Sequence, residues 1–396
     1  MIINSGWEQT DLIRKAKDQG LYVIATDLQP DAPGFQLADE TAVADPRDLS
    51  QLFAIASEKK IDAIISDQCD YSHFAAAYIA ERLGLPGASL GAAQHSTNKK
   101  WMRLACSHTS IQQPRFIACK TIQEAKLAVH EIGLPVIIKP LDNRGNFGVN
   151  QVEHISQLEE AFFEAIANSH SRECLVEQFI QGTMATVDGF VFGIHGHYSL
   201  AVASKAMLGG RKRVAMEIVY PAEFPQKIVK ELQLCHNKVV QALGIQYGCT
   251  HGEYMVTETG DIFLIECANR GGGCYTSSRI VPAVSGYDLS EYLILSALGE
   301  RDLKVAEDAE SMKKASVLSF IQLSAGKIVS IENQEQIMKR NHILAFRLSV
   351  KPGDTITTIT NDANRHGFLI TTGATTELAK QHAEAAKQDL VIRYER

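Results

Sequence analysis

"HGEYMVTETGDIFLIECANRGGG", residues His251 to Gly273, reads as two apolar strands folded back on each other at "ETGD". Aromatic and branched residues fill both arms, and a short polar turn with a glycine joins them, which is a hairpin pattern. Counting outward from Thr259 and Gly260, Glu253 and Glu266 each lie six positions from the turn, so they face each other across the strands. Two carboxylates directly opposite repel. Glu266 also follows the apolar run "IFLI", which predicts a semi-buried position. Such a pair is kept together when a cation lies between its members, and ligation by oxygen alone suits Mg2+. The plain alternative is two glutamates on a wet face. Arg270 and three glycines follow at once, a fixed cation beside the acids. His251, two residues from Glu253 and so on the same strand face, reads as a satisfied core histidine or as a catalyst.

Upstream, "VIIKPLDNRGNFGV" (136–149) delivers Lys139 at the tip of an apolar strand, then a polar loop holding Arg144, Gly145 and Gly148. Backbone N–H groups on a glycine-rich turn converge on phosphate oxygens, and a lysine beside them neutralises the remaining charge. No Gly-Lys-Ser/Thr follows the glycines, so this is not a Walker loop. Alone, the stretch reads equally well as a hairpin with a solvated lysine.

The first hundred residues alternate strands ("MIIN", "LYVIATD", "IDAIISD") with helices ("EQTDLIRKAKDQG", "DLSQLFAIASEKK", "HFAAAYIAERLG"). That alternation predicts a parallel α/β sheet with function at the strand carboxyl ends, around Asn4 to Gly6, Asp27 and Ser66 to Asp70. "NSGWEQT" holds one glycine where a dinucleotide fingerprint needs three, which argues against a dinucleotide domain. Helices are expected at "STNKKWMRLACSH", "TIQEAKLAVHEIG" and "PQKIVKELQLCHNKVVQALG", and strands at "ECLVEQFI" and "TVDGFVFGIHGHYSLAVASKA". From about 300 the chain reads as a separate, strand-rich segment ending in the helix "TTELAKQHAEAAKQD".

With 396 residues, two or three domains are expected. Net charge −7 gives no reason to expect nucleic-acid or membrane partners. Eight cysteines, scattered without a CxxC pair, imply reduced thiols in a cytoplasmic protein. The amino terminus turns polar too early for a signal peptide, and no apolar run is long enough to span a bilayer.

Taken in order, these motifs resemble the ATP-grasp superfamily over nearly the whole chain, in particular its biotin carboxylase-like and carboxylate–amine ligase (L-amino acid ligase-like) branches. The resemblance implies an α/β fold with an α+β central domain. It divides into a pre-ATP-grasp domain over 1–95, an ATP-grasp domain over 96–300 with a lid near 113–178, and a biotin carboxylase-like domain over 301–396. "NKKWM" is similar to the first nucleotide lysine motif, with Lys99 in the lysine slot, and "VIIKP" to the second, with Lys139 on the phosphates. "LDNRGNFGV" is similar to the loop that closes over the phosphates, which brings Gly145, Asn146, Phe147 and Gly148 to the nucleotide. "LVEQFIQG" resembles the hinge that reads adenine, placing Glu177, Gln178 and Phe179 there. Glu253 and Glu266 match the metal pair, with Asn269 one place late for the usual asparagine, and Arg270 the arginine that steadies transferring phosphate. The implied cofactors are ATP and Mg2+, with Mn2+ as a substitute.

Met184 stands where a ribose-binding glutamate is common, and Ala268 where the metal-site asparagine is usual. Lys205, at a strand end, is expected to point inward, and Arg279 either clamps a substrate carboxylate or forms a structural ion pair. "GGRKR" (209–213) either borders the site or is a solvated run. The implied activity is an ATP-dependent carboxylate–amine ligase acting through an acyl phosphate on small amino-acid-like substrates, in a homodimer. The alternatives are a bicarbonate-activating carboxylase and a nucleotide-binding protein without catalysis.

Overall fold

Three short strands, β1 (Ile2–Ile3), β2 (Ile24–Asp27) and β3 (Glu40–Val43), open a computed structural model whose described residues are 1–143, 145–209, 213–305 and 314–395. They pair in parallel, Ile2 with Ala25 and Ile24 with Glu40, as strand–helix alternation predicts. The third strand is not the expected one. "IDAIISD" gives a single parallel bridge, Ile2 to Ile65, and Glu40–Val43 takes the other edge of the sheet. The reason lies just beyond: Gln68 adopts a left-handed φ of 59°, and Asp67 turns to accept from Gly271 N, so the chain leaves the sheet early. Asp27 accepts from Ser5 N at 2.8 Å and from Gln29 N at 2.9 Å, so it pins the first turn.

The next unit is a four-stranded antiparallel sheet of β4 (Phe116–Cys119), β5 (Val136–Pro140), β6 (Asn150–Val152) and β7 (Cys174–Gln178), in the order β4-β7-β5-β6. Helices Ile122–Ile132 and Leu158–Ala167 cover one face, burying Ala125, Val129, Phe162 and Ala165 against Val136, Ile138 and Val176. The first of them starts at a capping box, Thr121 with Glu124, which satisfies two backbone donors reciprocally.

The largest sheet is built from β8 (Thr183–Val191), β9 (His197–Met207), β10 (Ala215–Tyr220), β11 (Gly248–Val256) and β12 (Ile262–Ala268). The last segment supplies β13 (Ala315–Phe320), β14 (Gly326–Glu332), β15 (Ile343–Leu348), β16 (Thr355–Ile356), β17 (Gly367–Gly373) and β18 (Val391–Tyr394). Three of these strands extend the same sheet, in the order β12-β11-β8-β9-β10-β13-β17-β15, while β16-β14-β18 form a small sheet apart. Val219 pairs with Val317 at the junction, so hydrogen bonding runs unbroken from the hairpin into the last segment. One face of the large sheet packs against helix Gln226–Ala242, burying Leu232 and Val239 with Val187, Tyr254 and Leu264. Among the described residues no helix is long and apolar enough to cross a membrane.

Candidate active site

A cleft of about 490 Å³ takes residues from both the β4–β7 sheet and the large sheet, and Asp362 and Arg365 of the last segment also line it. That size is typical of a small-molecule site. The hairpin forms one wall. Glu253 and Glu266 are register partners across β11 and β12, as the sequence count predicts, though by a different route. Val256 pairs with Ile262, so the turn covers 257–261 and the register is shifted by one residue. A bulge after Glu253 shifts it back and restores the facing pair.

Each of these acids meets a lysine. Lys205, on β9, reaches across β8 to hydrogen-bond Glu253. Lys99 Nζ donates to Glu266 Oε1 at 3.1 Å and to the Asn143 carbonyl at 2.9 Å. Lys99 opens helix Lys99–Cys106, because Asn98 caps it by accepting from Lys100 N and Trp101 N. The expected single helix is therefore two, Leu90–Thr97 and Lys99–Cys106, with the break placing the lysine. Burial would raise the Glu253 carboxyl, but Lys205 and His251 outweigh it and hold it well below the usual range. Burial likewise opposes charge on Lys99, and Glu266 outweighs it, so the ammonium is retained.

His251 lies in a row of buried polar groups. Its Nδ1 is 2.7 Å from Asp188 Oδ1, whose other oxygen accepts from Tyr220 Oη at 2.7 Å, and its Nε2 is 3.9 Å from Glu253. Burial alone would lower its pKa; Asp188 raises it.

A second cluster sits at the carboxyl end of β7. Lys139 Nζ bonds Glu177 Oε2 at 2.7 Å, and Arg103 Nε bonds Glu177 Oε1 at 2.9 Å. All three side chains are almost fully buried. Burial pushes the Glu177 carboxyl up, yet Arg103 and Lys139 prevail and hold it at about 2. Burial lowers Lys139, with Glu177 opposing. The Glu177 carboxylate is thus committed to these two cations, while Gln178, Phe179, Met184 and Met255 line the cleft beside it. Arg213 lies 5.7 Å from the Phe179 ring centre. Residues 210–212 of "GGRKR", and Arg144, are outside the described residues.

Arg270 faces the cleft, held by a bidentate pair with Asp70, both bonds 3.0 Å. Burial opposes its charge, and Asp70 raises its pKa further above the usual range. The other two residues expected here do not join it. Asn269, the residue after β12, donates its side chain to the Tyr247 and Cys249 carbonyls at 2.7 and 2.9 Å and does not line the cleft that Glu266 and Ala268 face, as strand alternation leads one to expect. It is therefore not placed as a third ligand. Arg279 forms a bidentate pair with Asp11 and donates to the Leu344 carbonyl. Of the two readings for Arg279, the ion pair is the one present.

The loop holding Gly145 to Gly148 lines the cleft. Gly145, Asn146 and Gly148 have φ of 66°, 59° and 71°, and all but Gly148 line the cavity together with Phe147. At Gly148 a Cβ would come within 3.1 Å of Glu164 O and Asn168 Cβ, so only glycine packs there without strain.

Arg103, Asp188 and the pair Asp362–Arg365 escaped the sequence reading, whereas Asp70 lies in the strand-end stretch Ser66 to Asp70 singled out there, without its partner Arg270. Arg103 left a signal: it shares the buried face of its helix with Lys99, Met102 and Cys106, and a cation on such a face requires a buried partner. The others lie far along the chain from what they touch.

Known proteins resemble this chain in two segments and in overall fold. The family description "ATP-grasp domain" matches residues 132–278, and "L-amino acid ligase C-terminal domain 2" matches 319–395. The formate-dependent phosphoribosylglycinamide formyltransferase of Erythrobacter litoralis is 24% identical over 408 residues, covering 100% of this chain and 98% of its own. The L-amino acid ligase of Bacillus licheniformis superposes with a TM-score of 0.85 at 20% identity, over 100% of this chain and 98% of its own. The biotin carboxylase domain dimer of Hydrogenobacter thermophilus 2-oxoglutarate carboxylase, solved with MgADP, ADP and bicarbonate, gives a TM-score of 0.78 at 18% identity, over 100% and 90%. At these identities the structures establish likeness of fold.

Proposed function

From the premise that this chain is an ATP-grasp enzyme of the carboxylate–amine ligase group, we propose that it joins a small amino-acid-like acid to an amine at the expense of ATP. The observation that carries this reading is the facing pair Glu253 and Glu266, each matched to a lysine, at one wall of a nucleotide-sized cleft also lined by Lys139 and Arg270. In this reading Lys99, Lys139 and the amides of the glycine loop hold the triphosphate. The two glutamates fit Mg2+, which takes one or two protein carboxylates and completes its shell from phosphates and water. Bound there, the ion would neutralise phosphate charge; Lys99 and Lys205 balance the same carboxylates without it.

The substrate carboxylate attacks the γ-phosphorus, the bond to the β-phosphate oxygen breaks, and ADP and an acyl phosphate result. Arg270, fixed by Asp70, is placed to stabilise charge on the transferring group and on the acyl phosphate. The amine then attacks the acyl carbon and expels phosphate, losing its proton. Little covalent help is needed for phosphoryl transfer, so positioning and charge dominate. Closing the glycine loop keeps water from the acyl phosphate.

Substrate identity is proposed by class alone. An L-amino acid ligase shares the fold, and the Erythrobacter relative is named for formate, itself a carboxylate. A second reading, ATP-dependent activation of bicarbonate, draws on the bicarbonate-containing biotin carboxylase structure. That domain is a dimer, and we assign a homodimer to this chain on the same basis; sedimentation as a monomer would remove it. A reduced, cytoplasmic setting suits the eight free cysteines.

A phosphate-release screen over pairs of amino acids and small acids, with ATP and Mg2+, tests the reading. Release that requires both an acid and an amine supports it. Release with bicarbonate and no amine transfers support to the second reading, and ATP binding without release under any pair contradicts both.

A further inference from the structure

The glycine loop is held from both sides. On the Gly148 side it packs against its own unit, at Glu164 and Asn168. On the Gly145 side its partner comes from the last segment. Asp362 N donates to the Gly145 carbonyl at 3.1 Å, and Asn146 Nδ2 donates to Asp362 Oδ1 at 3.2 Å, across a sequence separation of 216. Arg365 Nη2 bonds the same carboxylate oxygen at 2.8 Å, and its guanidinium carbon lies 3.6 Å from the Phe320 ring centre. The turn Asp362–Asn364 is itself fixed, since Asn361 accepts from Ala363 N and Asn364 N. All of Gly145, Asn146, Asp362, Arg365 and Phe320 line the one cleft.

A loop with two glycines and three residues in left-handed conformation loses much entropy when ordered, so contacts have to fix it. We propose that Asp362 is a positioning residue that latches the phosphate-covering loop to the last segment through Gly145 and Asn146. In this role Asp362 acts through the loop rather than on a reacting atom. It sets how long the loop stays closed over bound nucleotide, with Arg365 and Phe320 holding it from behind. The proposal rests on the ligase reading only in taking that loop as the phosphate cover.

Hydrogen exchange and MgADP dissociation, measured on the full chain, test the latch. In Asp362→Ala, backbone amides over 145–149 should exchange about tenfold faster, the size expected for one lost hydrogen bond to a carboxylate. MgADP should leave faster by a similar factor, while β8 exchanges as before. Asp362→Asn keeps an acceptor and should stay within about threefold of the wild-type chain. Asn146→Ala, made from the loop side, should reproduce the alanine effect if Asp362→Ala fails to fold. Unchanged loop exchange in the alanine variants, faster exchange spread through the large sheet, or no rescue by asparagine would each overturn the latch. If MgADP fails to bind the wild-type chain, the ligase reading falls, and exchange in the nucleotide-free loop still decides the latch.

Discussion

Two clusters in this protein use the same ingredients, glutamate and long cations, to opposite ends. At the end of β7, Arg103 and Lys139 share Glu177, and the carboxylate side chain is 3% exposed. On the hairpin, Lys205 and Lys99 each hold one acid, and the Glu253 and Glu266 side chains are 24% and 28% exposed. Burial decides the difference. An ion pair taken wholly out of water is locked, since removing either partner strands a charge; one open to a cleft can trade its partner for a ligand. The Glu177 cluster therefore holds the β4–β7 sheet to the helix that carries Lys99. The hairpin cluster, on the proposed reading, exchanges its lysine contacts for a divalent cation and phosphates.

Substitutions should separate the two clusters. The largest effect is expected at the open one: Glu266→Gln should lower ADP formation by on the order of a hundredfold or more, with circular dichroism and melting near those of the wild-type chain. A fold lost together with activity would make Glu266 structural and erase the contrast. Glu177→Gln reverses the pattern, because Arg103 and Lys139 would then stand as buried cations against a neutral partner. It should cost about 3–5 kcal/mol in urea unfolding.

Acid gives a finer separation. The Glu177 carboxyl is held at about 2 against an ordinary value of 4.5. A depressed folded value means stability that is complete above about 4.5 and lost as pH falls towards 2. Chemical denaturation at stepped pH should show that loss in the wild-type chain and a shallower slope in Glu177→Gln. Equal slopes would place the acid sensitivity elsewhere. The smallest effect belongs to Arg279, outside both clusters: Arg279→Ala should cost roughly 1 kcal/mol or less and change turnover less than twofold.

The facing acids were legible because strand period and turn chemistry are local. Even so, the count reached Glu253 and Glu266 through two compensating features, a longer turn and a bulge, that only the folded hairpin reveals. That Lys99 and Lys139 share the cleft was legible by motif. Asn269, three residues beyond Glu266, falls on the opposite face by strand alternation, and the resemblance that suggested it as a ligand was one place out of register. Arg103, Asp70 and Asp362 belong to contacts between distant segments, which no window of sequence contains. "IDAIISD" reads as a strand by composition, yet Asp67 is spent on Gly271 and Ser277, a tertiary demand that ends pairing after one bridge.

Anomalous diffraction from a crystal grown with ADP and Mn2+ tests the central contrast most directly. The account predicts a manganese peak between the carboxylates of Glu253 and Glu266, with the phosphates beside Lys99 and Lys139 and the Glu177 cluster unmoved. Manganese and diphosphate bound elsewhere, with Lys205 and Lys99 still on the two glutamates, would contradict it.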